Sequence, residues 1–307
     1  METIEILGVR HAYELTGRTT CPHALVFIHG WLLSRGYWQP LIERLALDYQ
    51  CLAYDLRGFG QSQSTLKAES NSYKNSLSLT APCLSTTPAS ASLRVSSYTP
   101  AAYAQDLVIL LQQLNLTSAW LIGHSLGGTI ALWAANQLPE HVKGVICINA
   151  GGGIYLKEAF EQFRSAGQTL LKFRPQWLSY VPLIDLLFTR ANVAQAIARS
   201  WGRQRLIDFV VAHPEAALGA LLDSTTEEEI NRLPQVVSQL KQPVYFLAGS
   251  KDQIMEPKYV RHLASFHPLF GACGDNVIDI PHCGHLAMIE QPDAVASQIQ
   301  WILAQHK

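Results

Sequence analysis

The sequence predicts an α/β fold, with a mostly parallel sheet covered by helices on both faces and a helical cap over the carboxyl ends of the strands. Three observations predict it. Short continuous apolar runs such as Ala24-Leu25-Val26-Phe27-Ile28 recur along the chain, as strands buried on both faces require. Helical periods alternate with these runs, the pattern of parallel strands joined by crossover helices. From 151 to about 235 helical patterns continue without a buried strand, so this block leaves the sheet and returns to it.

Taken in order, the first seventeen residues alternate weakly and suit a hairpin. A strand at 24–28 ends at His29-Gly30, and a helical stretch from Gly36 to Leu47 follows. A second buried strand, Cys51 to Tyr54, runs into Asp55-Leu56-Arg57-Gly58-Phe59-Gly60. From about 61 to 97 the chain is rich in Ser, Thr and Ala without sustained period, which reads as a flexible insertion. Thr99-Pro100 forms an N-cap with Pro at the first helical position, opening a helix to about Leu114. A strand at 119–122 breaks at Gly123, a helix runs from about Leu126 to Leu138, and a strand follows at 145–148. After the helical block come a strand at 244–248, a helix from about Pro257, a strand at 277–280 and a last helix from about Pro292. The expected organisation is a core of 1–150 and 236–307 with a cap of 151–235.

The chain has 307 residues, 48% of them hydrophobic and 15% charged, with net charge −1. That is enough to bury a large core, and it lacks the basic excess of a nucleic-acid footprint. The six cysteines form no C-x-x-C pair and no zinc spacing, so they read as small apolar residues of a reduced compartment. The opening Met-Glu-Thr-Ile-Glu-Ile has no basic and then apolar secretory pattern. No apolar stretch approaches the ~18–20 residues of a membrane span. The expectation is a soluble, cytoplasmic protein that binds no metal.

Gly123-His124-Ser125-Leu126-Gly127 matches G-x-S-x-G between a buried strand and a helix. A strand that turns sharply into a helix presents one side chain at the apex, in a strained backbone conformation that tolerates only small neighbours. The helix N-terminus behind it favours negative charge. Ser125 is therefore the candidate nucleophile. A hydroxyl needs a base, and His285 stands in the loop after the last strand, where open α/β sheets place their chemistry. His282 competes for the role; Gly284, directly before His285, allows an unusual turn there and selects His285. Asp252, in the loop after the 244–248 strand, is the expected acid that orients the imidazole, with Glu256 as the fallback. The chain order Ser, Asp, His supports this assignment. The tetrahedral intermediate needs donors for its oxygen. These are expected from the backbone N–H groups of Leu126 and of Trp31, whose ring would also face the substrate. His29 is expected to brace that loop.

Together with His29-Gly30-Trp31, Asp55-Leu56-Arg57-Gly58-Phe59-Gly60-Gln61-Ser62, Gly284-His285 and the stretch from His285 to Pro292, these residues resemble the α/β-hydrolase superfamily over nearly the whole chain. The resemblance implies an eight-stranded, mostly parallel sheet, a helical cap and no cofactor. Ser125 separates the chain from members with Asp at that position, epoxide hydrolases and haloalkane dehalogenases. It is similar to carboxylesterases, carbon–carbon bond hydrolases and cofactor-free haloperoxidases. It is also similar to the menaquinone-pathway synthase that eliminates pyruvate from a cyclohexadiene precursor. That synthase carries Arg shortly after the glycines, where this chain has Thr129 and Ile130. Ester cleavage through an acyl-enzyme is the leading expectation. A triad-dependent lyase and a non-catalytic ligand receptor are the alternatives.

The cap carries Phe160, Phe163, Phe173, Trp177, Tyr180, Leu183, Ile184, Leu186, Leu187 and Phe188, interleaved with Lys157, Arg164, Lys172, Arg174 and Arg190. Such a block can be helices packed on one another with solvated basic faces. It can also form a lipophilic pocket for a small-molecule ester with an apolar part, in transient contact with a membrane surface.

Overall fold

The computed structural model describes residues 1–63, 98–151 and 157–306. The Ser-rich stretch expected as an insertion lies outside the described residues from 64 to 97.

Eight strands form one sheet in the order β1-β2-β4-β3-β5-β6-β7-β8. β1 (Glu2–Ile6) and β2 (Val9–Leu15) are the expected hairpin. Its turn residues Leu7 and Gly8 both have positive φ, 50° and 78°, the mirror-image turn whose twist matches the strands. β2 runs antiparallel to β4. The six strands β3 (Ala24–Ile28), β4 (Gln50–Tyr54), β5 (Ala119–His124), β6 (Val142–Ile148), β7 (Val244–Gly249) and β8 (Val277–Ile280) are parallel to one another. β5 continues through Gly123 to His124 rather than breaking there, because Gly123 and His124 pair with Cys147 and Ile148 of β6.

Side chains alternate between two apolar cores. Val26, Ile28, Leu121 and Val145 enter one, with Leu107 and Leu110 of the Pro100–Gln113 helix and Ile130 of the Leu126–Gln137 helix. Leu25, Phe27, Ile122 and Ile146 enter the other, with Leu41 of the Gln39–Leu45 helix and Ile299 of the Pro292–Ala304 helix. Burial on both faces explains the unbroken apolar runs of the strands. Thr99 caps its helix as expected, its hydroxyl accepting from the N–H of Ala102 at 3.2 Å.

Between β6 and β7 lie helices Lys157–Lys172, Asp185–Phe188, Arg199–Val211, Pro214–Ser224 and Glu227–Gln239. Leu233, Val236 and Val237 join the core of the sheet, and Glu229 accepts from Trp133 Nε1 at 2.6 Å. The expected boundary at 235 falls inside the Glu227–Gln239 helix.

The chain leaves β3 toward β4 on one side and resumes with β5 on the other. Loops after β3 and β5 diverge at that reversal, and open α/β sheets bind ligands in the crevice it leaves.

Candidate active site

Ser125 follows β5 and opens the Leu126–Gln137 helix with φ 52° and ψ −120°, a conformation few L residues adopt. Its N–H donates to Ile148 O at 3.0 Å and its carbonyl accepts from Gly128 N at 2.9 Å. Sterics around it explain the glycines. A Cβ on Gly127 would stand 2.1 Å from the carbonyl oxygen of Ile28, and one on Gly123 would stand 2.2 Å from that of Gly127. The helix could not then start where it does against β3.

His285 and Asp252 meet. Nδ1 of His285 lies 2.7 Å from Asp252 Oδ2, and both side chains are almost wholly buried. The other oxygen, Asp252 Oδ1, accepts from the N–H groups of Ile254 and Met255 at 2.8 and 3.0 Å. Each carboxylate oxygen thus has its own donors. With Nδ1–H donated to the carboxylate, the lone pair of the imidazole is left on Nε2. Glu256 takes no part: it sits ahead of the Pro257–Ala264 helix and pairs with Lys258 at 2.9 Å. His282 is also elsewhere, exposed and lining a separate groove with Lys251 and Gln253.

Gly284 does not make the unusual turn expected before His285. The positive φ in this loop is at His282 (54°), not at Gly284. Gly284 is required by contact instead, since a Cβ there would stand 2.6 Å from the backbone N of Ala194, where the cap passes over the loop.

Two further residues hold this arrangement, and sequence reasoning did not find them. Asn149, just past β6, is fully buried with φ 49°. Its Nδ2 donates to the carbonyls of Gly284 at 2.8 Å and His285 at 2.9 Å, and its Oδ1 accepts from Gly249 N at 2.7 Å. Glu290 accepts from the N–H groups of Gly284, Leu286 and Ala194 at 3.0, 3.0 and 2.8 Å. The only trace of Asn149 in the sequence is an Asn after a strand, a residue type that tolerates left-handed backbone. His124 Nε2 donates to His285 O at 2.7 Å, and burial keeps that ring neutral.

The loop after β3 packs directly on Ser125: a Cβ on Gly30 would stand 3.2 Å from Ser125 Cβ. His29 accepts from Leu56 N at Nε2 (2.9 Å) and donates from Nδ1 to Gly30 O (2.8 Å). Both ring nitrogens are committed and burial lowers its pKa, so it clamps the ends of β3 and β4 together. Asp55 binds Arg35 at N and Nη1, 2.6 and 2.5 Å, and Arg57 pairs with Asp106 at 3.2 Å. These charges of the Asp55–Ser62 stretch shape the loop around the site.

Ser125, His285, Leu126 and Trp31 line one cavity of about 460 Å³ between sheet and cap. Trp31 Nε1 donates to Ala217 O at 2.8 Å, which fixes its ring as part of the wall. The cap contributes Phe163, Ala166, Gly167, Leu170 and Leu221, so the lining is mainly apolar. Arg205 is the cation of the wall; its guanidinium donates to the carbonyls of Phe188 and, at 2.7 Å, Ala191. Of the cap aromatics singled out in the sequence, Phe163 reaches the cavity, whereas Phe173, Trp177 and Tyr180 are exposed. Among the described residues no group of three or more His, Cys, Asp or Glu side chains could hold a metal ion, and no helix is long and apolar enough to cross a membrane. Thiols of Cys51 and Cys283 are pushed up to about 12 by burial, and that of Cys147 is raised further by the same cause.

Comparison with known proteins places the arrangement in context. A family model described as alpha/beta hydrolase fold matches residues 23–292. A pimeloyl-[acyl-carrier protein] methyl ester esterase of Xanthomonas axonopodis pv. citri is 29% identical over 92% of this chain and 95% of its own. An uncharacterized hydrolase of Bacillus subtilis, YugF, is 23% identical over 94% of this chain and 90% of its own. Among solved structures, a thermophilic esterase from Thermogutta terrifontis superposes with TM-score 0.69 at 23% identity, covering 99% of this chain and 97% of that one. The epoxide hydrolase CorEH superposes with TM-score 0.71 at 18% identity, covering 100% and 99%. At such identities these structures speak for the fold alone.

Proposed function

Given that this chain belongs to the α/β-hydrolase family, we propose that it hydrolyses carboxylic esters with an apolar part, through an acyl-enzyme on Ser125. The single observation that carries this reading is the 2.7 Å contact of His285 Nδ1 with Asp252 in the wall of the cavity that Ser125 also lines. Ser125 Oγ attacks the ester carbonyl carbon while its proton passes to His285 Nε2. The backbone N–H groups of Leu126 and Trp31 receive the negative oxygen of the tetrahedral intermediate. Collapse breaks the carbon–oxygen bond to the alcohol, which leaves with the proton from His285. Water, deprotonated by the same imidazole, then attacks the acyl carbon and frees Ser125 and the acid. Asp252 holds the imidazole in its productive tautomer and stabilises it when charged. The apolar lining from Phe163, Leu170 and Leu221 supports an apolar acyl or alcohol part. The methyl ester cleaved by the Xanthomonas relative, as its name states, supports the ester class.

A fluorophosphonate probe tests the nucleophile. Labelling of the folded protein that disappears in Ser125→Ala is the expected result, and a folded wild-type chain that stays unlabelled overturns it. Turnover of p-nitrophenyl esters of graded acyl length tests the substrate class. Rates should rise from acetate to medium chains; a clear preference for acetate would count against the apolar part.

A further inference from the structure

The cap exposes an apolar face that the site does not use. Among the described residues, six of the fifteen exposed large apolar side chains fall within 173–187. Phe173, Trp177, Tyr180 and Leu187 are each more than half exposed, at 74, 63, 81 and 70%. Scattered exposed apolar residues are ordinary, but a contiguous set marks a contact surface. Its charge setting narrows the partner. Residues 170–205 contain six Lys or Arg and one acid, a net +5 in a chain whose total is −1. Lys172, Arg190, Arg199 and Arg203 are exposed, while the acid, Asp185, is buried and paired with Arg199 at 2.7 Å. Apolar side chains and cations share one groove: Tyr180 and Leu183 line it with Arg199 and Arg203.

We propose that this face docks the protein on an anionic lipid surface. Aromatic rings with a polar edge settle at the boundary between headgroups and acyl chains. Basic side chains beside them are drawn to anionic headgroups. A second copy of the chain fits the face less well, because a self-complementary pairing would set these cations against each other. The face is also continuous with the catalytic cavity: Ala166 and Leu170 line both the cavity and an outer groove that includes Phe173. An apolar ester could pass from the lipid along that wall, and this delivery rests on the reading of Ser125 as the nucleophile. Docking does not.

The experiment is cosedimentation of the full chain with vesicles of equal parts phosphatidylcholine and phosphatidylglycerol, against vesicles of phosphatidylcholine alone. Binding to the mixed vesicles is expected, weakened by salt and nearly absent without the anionic lipid. The double variant Trp177→Ala/Tyr180→Ala and the charge reversal Lys172→Glu/Arg190→Glu, all at exposed positions, should each lower binding by about tenfold or more. Both should keep wild-type turnover of a soluble short ester. Ser125→Ala should bind vesicles like the wild type, so a loss of catalysis leaves the docking result standing. Absence of binding by the wild type, or equal binding by both variants, overturns the proposal. So does a concentration-dependent dimer in sedimentation velocity that Trp177→Ala/Tyr180→Ala abolishes, which would assign the face to a second copy.

Discussion

The side-chain amide of Asn149 donates to the backbone carbonyl of His285 at 2.9 Å while its oxygen accepts from Gly249 at 2.7 Å. One buried residue at the end of β6 thereby ties the end of β7, ahead of Asp252, to the loop after β8 that carries His285. β6 is the neighbour of β5, which leads into Ser125. The three candidate catalytic side chains come from three separate loops, and Asn149 sets the spacing between two of them and the strand beside the third.

Asn149→Ala should therefore lower kcat with little change in KM. A displacement of His285 by about 1 Å is enough for a loss of about 100-fold. Removing the amide also leaves buried partners unpaired, at a cost of about 2–3 kcal/mol. Steady-state kinetics on a p-nitrophenyl ester and a denaturant titration check the two effects. Unchanged kcat in a folded variant would remove Asn149 from the positioning of His285.

Asp252→Asn tests the acid separately from the fold. Asn can still accept from Ile254 and Met255 through its oxygen, so stability should change little. The His285 contact reverses its preferred tautomer, and kcat should fall by about 10³–10⁴-fold, the scale this substitution has in serine proteases. A loss of only a few-fold would mean that another group orients the imidazole.

Gly127→Ala should unfold or inactivate the protein, because its Cβ would stand 2.1 Å from Ile28 O and 2.6 Å from His29 O, both backbone atoms. A cost above about 3 kcal/mol is expected from such overpacking and backbone displacement. Gly17→Ala is the control: nothing lies within 4 Å of its Cβ. Thermal melts of the two variants should separate clearly, and equal melting temperatures would contradict the packing argument.

Asp208 links cap to core, accepting from Ser34 Oγ and Gln204 Nε2 at 2.9 Å each. Burial raises its pKa from 3.8 to about 7. Between those values the folded state holds a proton that the unfolded chain has already lost, so this group makes stability decline as pH rises from about 4 to about 7, then level off. Asp208→Asn removes the titration. The variant should gain on the wild type in melting temperature across that window, and parallel pH curves would place the Asp208 pKa elsewhere. His11 works in the opposite sense: burial lowers its pKa to about 4, so the fold loses stability as pH falls from about 6.5 toward 4. The wild-type profile sums these with other buried groups, among them Asp106, whose pKa burial raises to about 6, which is why the comparison with Asp208→Asn is the informative one.

Much of this was legible in the chain. Apolar runs buried on both faces marked β3 to β7, and Gly123-His124-Ser125-Leu126-Gly127 marked the strand-to-helix turn, because both depend on residues adjacent in sequence. The preference for His285 over His282 rested on a conformational freedom of Gly284 that the backbone does not use; the glycine is required by the passing Ala194 segment, ninety residues away in sequence. The cap was the least legible part. Its apolar residues suggested a pocket lining, yet Phe163 enters the cavity while Trp177 and Tyr180 face outward, and Ala166, Gly167 and Leu221, with no aromatic signal, complete the wall. Local pattern determined which segments are strands and helices and where the sharp turn lies. Only the tertiary structure decided the pairing of His285 with Asp252, the bracing by Asn149 and Glu290, and the division of the cap into a lining and an exposed face. Those features are contacts between loops at the ends of different strands, and a contact between distant segments has no period along the chain by which it could be read.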